Sequence, residues 1–486
     1  MTIPNLSLKE HLSVESFSLK TNPPKRYNLW LKLEQIAPLA IMLGTFVMIL
    51  YAMTQHSLTT LIAFYTFGIS GLAMVWRSGG TSIRIFIIIY GISSIVAVML
   101  SFILSNEYGV PYVGGGSDEL HYERKGIEFA QRLGLFDYGA IRGGIVNRDH
   151  NSVGYVYLVG LLAKFSAVFG SFHTMVPRLF NAACLALLSV VVFNMGQRLR
   201  LQKHTALIAA LFVGGLPLMM WVSVQTLRDI VQTLLLVTLV FLWLPDYNSR
   251  WRYSLPVLLL ISSFIMLPIW EIRKAQALVF LVFAAFAIFT NRHSYNPLRF
   301  FFLSLPVALI SVYIISLFYS ILSKDVFYIL DLLKFYSDYR SGDSVGGGLS
   351  SIVFEASIFP FGWIYRSLYA LISPIPLSYV PVYKAWLSIG TIIHLLFLPF
   401  LWIGIKNGMG HPSWRLIVVA FLLLFVGMSM FTFTIRHIVQ YLPFGVLLTA
   451  FGIEKYQGNY KYLCLIMGGI GFTMILVYII VKIFLV

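Results

Sequence analysis

Apolar runs alternate with short polar stretches along the whole of this 486-residue chain. A helix that crosses a bilayer needs roughly 20 apolar residues. Runs near 36–53, 59–76, 83–105, 178–197, 204–223, 228–244, 253–271, 275–290, 298–322, 384–404, 413–432, 436–453 and 461–484 meet that measure. They predict an all-α polytopic membrane protein with about 13 transmembrane helices. Two apolar stretches fit less simply. Residues 153–169 could cross the membrane or lie along its surface. Residues 351–376, broken by Pro360, Pro374 and Pro376, read as surface-lying or re-entrant on the outer side.

Composition agrees with this pattern, and charge orients it. The chain is 58% hydrophobic and 11% charged, with a mean hydropathy of +0.82, whereas a soluble domain carries about 25% charged residues. The net charge of +16 would suggest nucleic acid in a soluble protein. Here the cations fall in short clusters between spans, the mark of cytoplasmic loops, so membrane lipids replace nucleic acid as the expected partner. If 153–169 lies on the surface, Lys25, Arg26 and Lys32 share one side with Arg77, Arg84, Arg198, Arg200 and Lys203. Arg250, Arg252, Arg292, Arg299, Lys406, Arg415, Lys455 and Lys461 join them there. If it crosses, most later clusters change face.

The surface threading is therefore the expectation. It gives a cytoplasmic segment 1–35, two extra helices in 36–82, a transmembrane core over 83–455 and a last helix in 456–486. Segments 106–177, 225–229, 271–274, 323–383 and 434–437 then face outward. The polar N-terminus lacks the short apolar core of a cleaved signal, so the first span is expected to stay as an anchor. Cys184 and Cys464 both lie in apolar runs, which implies neither a disulfide framework nor a thiolate metal site.

One polar island stands out: Gly114-Gly115-Gly116-Ser117-Asp118-Glu119-Leu120-His121-Tyr122-Glu123-Arg124-Lys125. Ionisable residues crowded beside an apolar span are a functional-site hypothesis by default. Ser117 or Asp118 could cap a helix running to about Leu133, with Asp118, His121 and Tyr122 on one face at three- and four-residue spacing. A carboxylate there could take a proton from an attacking hydroxyl, or Asp118 and Glu119 could hold a divalent metal such as Mg or Mn. The bland reading is a helix cap and a solvated face. Arg228, Arg273, Lys274, Arg366 and Arg436 also sit near helix ends on the outer side, together with Asp229, Glu271 and His437. A guanidinium grips phosphate oxygens in a two-pronged way, so these cations suit a phosphate anchored in lipid. Local pairing and snorkelling to headgroups explain them as well. His394 reads as a buried histidine, His150 as weak evidence for a metal, and Trp221, Trp270 and Trp363 as belt residues or sugar platforms. No phosphate-binding glycine loop or zinc motif marks the cytoplasmic side.

The order of features in the first outer loop resembles a known family. Asp118-Glu119 and Tyr122 are followed by Phe129-Ala130, Leu133-Gly134, an irregular loop, Gly154-Tyr155, Phe169-Gly170 and Pro177-Arg178-Leu179-Phe180-Asn181. This looks like the C-type integral-membrane glycosyltransferases, in particular the family-39-like branch of protein O-mannosyltransferases and lipid A aminoarabinose transferases. Thr226-Leu227-Arg228-Asp229, Ser373-Pro374-Ile375-Pro376 and Arg436-His437 through Leu442-Pro443 are similar to later stretches of that branch. The likeness covers roughly 83–455, with Asn151-Ser152-Val153 standing where many members have a basic residue and a proline.

The resemblance implies juxtamembrane helices in the first outer loop and transfer of a sugar from a polyprenyl-phosphate donor, with inversion, on the outer face. By position, Asp118 would be the catalytic base, Glu119 its support or a metal ligand, and Arg436 a contact for the lipid phosphate. The acceptor would be a lipid, glycan or protein. The absence of Asn-x-Ser/Thr acceptors from the assigned outer loops points to a bacterial inner membrane. A glycan polymerase or ligase using lipid-linked oligosaccharides would share the donor but depend more on arginines. A transporter would show paired half-repeats and mid-membrane charges, which the sequence lacks.

Overall fold

A computed structural model describes residues 29–116, 118–146, 152–245, 253–290, 366–367, 382–431 and 435–459, with part of 462–476. The expected span 298–322, most of the loop 323–383 and of the last span, the N-terminal 28 residues, Ser117, His150 and Trp363 lie outside the described residues.

What is described is helical, as the apolar runs require. The helices are α1 (Leu29–Thr54), α2 (Leu58–Val75), α3 (Gly80–Tyr108), α4 (Asp118–Arg132), α5 (Val153–Phe169), α6 (Met175–Arg198) and α7 (Lys203–Gly215). They continue as α8 (Pro217–Ser223), α9 (Asp229–Trp243), α10 (Leu255–Ile272), α11 (Lys274–Thr290), α12 (Val382–Met409), α13 (Pro412–Phe431) and α14 (Leu442–Lys455). Among the described residues, seven helices are long and apolar enough to cross a membrane, or eight if one bent pair counts as a single span. This is an all-α membrane protein.

Two expected spans are shorter as helices than as apolar runs. α9 has 15 residues and α14 has 14, so at 1.5 Å per residue each falls short of the roughly 30 Å apolar core. The run 204–223 also departs from a single helix. It is α7 and α8, bent by 52°, because Pro217 has no N–H to continue the ladder and Leu216 before it takes an extended ψ of 129°.

The bundle is sewn together chiefly by α1 on α3, α3 on α6, α6 on α7 and α9, and α12 on α14. The polar helix α4 is different. Its buried positions are Glu119, Tyr122, Glu123, Gly126 and Phe129, the stripe of a 3.6-residue period. That stripe packs on α5. The two helices cross where Gly126 faces Gly160: a Cβ at Gly126 would lie 2.6 Å from Val159, and one at Gly160 would collide with Phe129. The chain enters α4 through Gly116 at φ 93°, a backbone setting that favours glycine.

Candidate functional site

Four helix ends meet beside α4. Asp118 opens α4, Asp229 opens α9, Arg273 closes α10, and Arg436 and His437 sit on a 3-10 turn, Ile435–Gln440, just before α14. The ion pair of Asp118 with Arg436 joins residues from the first and last thirds of the chain. Asp118 keeps 45% of its side chain exposed and Arg436 keeps 24%. Behind them Asp229 is 1% exposed. It lies 4.0 Å from Arg436 Nε, 3.8 Å from Arg273 Nη1 and 4.0 Å from His437 Nε2. As the first residue of α9 its carboxylate also faces the positive end of the helix dipole.

The electrostatics follow from that crowding. Burial alone would lower the Arg436 pKa, but the carboxylates of Asp229 and Asp118 outweigh it and hold the guanidinium firmly protonated. Arg273 is pulled down to about 10, first by burial and then by the neighbouring Arg228, against the attraction of Asp229. Arg228 also donates to the Ile272 carbonyl at 3.2 Å, tying α9 to α10. Arg436 and Arg273 thus both lie against the buried Asp229, while Asp118, the other acid on Arg436, faces solvent.

Glu119 goes elsewhere. Adjacent helix positions are about 100° apart, so when Asp118 faces the cations Glu119 faces the core. It is 4% exposed. Its carboxylate accepts the Thr226 N–H at 3.0 Å and the Val113 N–H at 3.4 Å, with Arg178 at 3.3 Å. Burial, opposed by Arg178 and Thr226, raises its pKa. The paired acids therefore do not converge on a shared cation, and among the described residues no three His, Cys, Asp or Glu side chains do so. As arranged, the expected metal ligands do not fit a metal.

The other expected residues surround this centre at different depths. Tyr122 is buried, 3.3 Å from Ser152 Oγ and edge-on to Tyr155 at 5.0 Å. His121 lies against Tyr122, with its pKa lowered by partial burial and by Lys125. Glu271 is occupied by the loop before α5, accepting from Tyr138 Oη at 2.5 Å and pairing with Arg142 at 2.6 Å. Lys274 sits over the Trp270 ring, 5.9 Å from its centroid. Arg366 is buried, and its neighbour Ser367 lies 3.0 Å from Ser429 on α13.

Sequence reasoning passed over several groups that hold the centre. Glu123 accepts Tyr112 Oη at 2.7 Å, Thr226 Oγ1 at 2.6 Å and Thr174 Oγ1 at 2.5 Å. Asn181 donates to the Gln225 and Leu227 carbonyls, and Gln276 donates to Gln440 beneath the 3-10 turn. Arg178 carried a usable signal, being an ionisable residue just inside an apolar run. No protein-family model matches this chain, and neither a curated protein nor a solved structure is significantly similar to it.

Proposed function

We propose that the chain is a membrane glycosyltransferase that moves a sugar from a polyprenyl-phosphate donor to a hydroxyl of a lipid, glycan or protein acceptor. The observation that carries this reading is the meeting of Asp118 with Arg436 beside Asp229 and Arg273. A base that is half open to solvent, with fixed guanidinium groups beside it, is what a phosphate leaving group and a poor nucleophile need. The resemblance of the first outer loop supports the same chemistry. So does the packing of the apolar α5 along the polar α4, which suits juxtamembrane helices in a family-39-like, C-type architecture with about 13 spans.

In the step proposed, Asp118 takes the proton of the acceptor hydroxyl as its oxygen bonds to the anomeric carbon. The bond from that carbon to the phosphate oxygen breaks, and polyprenyl phosphate leaves with the electron pair. Arg436 and Arg273 neutralise the charge that grows on it, an effect that is largest for fixed cations in a site with little water. A single displacement inverts the anomeric centre. The donor lipid places the site on the outer face of a plasma membrane, where nucleotide sugars are absent and the activated lipid supplies the driving force.

The test separates the two halves of the site. With purified full-length chain in liposomes, a polyprenyl-phosphate sugar and an extracted acceptor, Arg436→Ala is expected to weaken donor binding by about tenfold or more, a charged hydrogen bond being worth about 1.5–3 kcal/mol. Asp118→Asn is expected to keep donor binding and lose transfer. Transfer that survives in Asp118→Asn but fails in both Arg228→Ala and Arg436→Ala would instead mark a glycan polymerase or ligase.

A further inference from the structure

Arg178 is fully buried at the start of α6, an apolar span that crosses behind the site. Its Nη2 donates to the Pro111 carbonyl and lies 3.3 Å from Glu119, and its guanidinium lies over the Tyr112 ring at 5.9 Å. Nε and Nη1 have no hydrogen-bond partner among the described residues. A guanidinium so incompletely satisfied stabilises a core less than a well-packed apolar side chain would. Its value to the protein lies in what it fixes.

What it fixes is the approach to Asp118. Through Pro111 and Glu119, Arg178 holds both ends of the glycine turn that leads into α4. Glu119 also accepts the Thr226 N–H, three residues before Asp229, and Glu123 one turn on accepts Thr226 Oγ1. The 111–113 segment, the α4 N-terminus, the 226 turn and α6 are thereby pinned at one buried point. Asp118 and Asp229, the two acids between which Arg436 is shared, hang from opposite sides of that pin. We infer that the buried Arg178–Glu119 pair is a positioning device that sets Asp118 against Arg436, and that Glu119 does not itself touch substrate. This rests on the glycosyltransferase reading for its kinetic consequence, but not for its geometric one.

Single substitutions leave a buried charge unpaired and risk misfolding, so the informative variant is the neutral pair Glu119→Gln with Arg178→Met. The geometric readout is bridging of Asp118→Cys to Arg436→Cys by a short bifunctional thiol reagent in the full chain, with single-cysteine variants as controls. The expected result is a neutral-pair protein that unfolds at close to the parent temperature, with bridging reduced several-fold. Its kcat is expected to be about 100-fold down at little-changed donor KM, the scale of a misplacement of about 1 Å. Arg178→Lys, which keeps the charge but not the fork, should recover part of both. Parental bridging and turnover in a well-folded neutral pair would overturn the inference, since the pair would then only fill the core. Reduced bridging in a protein whose parent transfers no sugar would uphold the positioning role and defeat the glycosyltransferase reading alone.

Discussion

Asp118 and Glu119 are neighbours in sequence and opposites in role. The helix that begins at Asp118 sends one carboxylate to Arg436 and turns the next into the stripe of Tyr122, Glu123, Gly126 and Phe129. That division was legible in principle from the 3.6-residue period, because the apolar members Tyr122, Gly126 and Phe129 already mark the buried face. The adjacency of two acids obscured it. Titration offers a check. Burial raises the Glu119 pKa from its ordinary 4.5. Its contribution to stability is therefore present in full below that value and is lost as pH rises through the raised folded-state value. Raising the pH from about 4 to 7 should lower the unfolding temperature of the parent more than that of the neutral pair Glu119→Gln with Arg178→Met, whose side chain at 119 cannot ionise. Equal pH dependence in the two proteins would show that Glu119 ionises in the fold as easily as out of it.

At the scale of elements, hydropathy located the helices well where one face or all faces are apolar. The helix expected from 118 to about 133 is observed as Asp118–Arg132, and 153–169 is observed as Val153–Phe169. Hydropathy was blind to breaks inside apolar runs, as at Leu216 and Pro217, because a bent pair buries the same residues as a straight helix. It was equally blind to the 3-10 turn that presents Arg436 and His437 ahead of α14. The loop before α5 is tied to α10 by Tyr138 and Arg142 on Glu271. Glu271→Gln removes the charge that Arg142 pairs with at a half-exposed position, a change worth about 0–1 kcal/mol. The unfolding temperature should then barely move, while trypsin cuts after Arg142 faster than in the parent. An unchanged cutting rate would mean that Glu271 does not restrain this loop.

Across the whole molecule, the positive-inside pattern predicts that the acids and cations at these helix ends share one side, but charge clusters say nothing about which helix ends touch. Tertiary packing decides that, and it brings Asp118, Asp229, Arg273, Arg436 and His437 together. It leaves Lys274 over Trp270 and Arg366 beside α13. The proposed threading predicts that a cysteine at the exposed position of Arg124 reacts with a membrane-impermeant thiol reagent added outside intact cells; protection there would reverse the map. Whether Asp118 is the base is tested by sugar transfer from a polyprenyl-phosphate donor in liposomes holding either the parent or Asp118→Asn. With a base removed and the cations left in place, turnover should fall by about 10²–10⁴-fold, while the unfolding temperature and donor binding stay near those of the parent. Transfer at the parental rate by a folded Asp118→Asn protein would exclude Asp118 as the base and with it the proposed reaction.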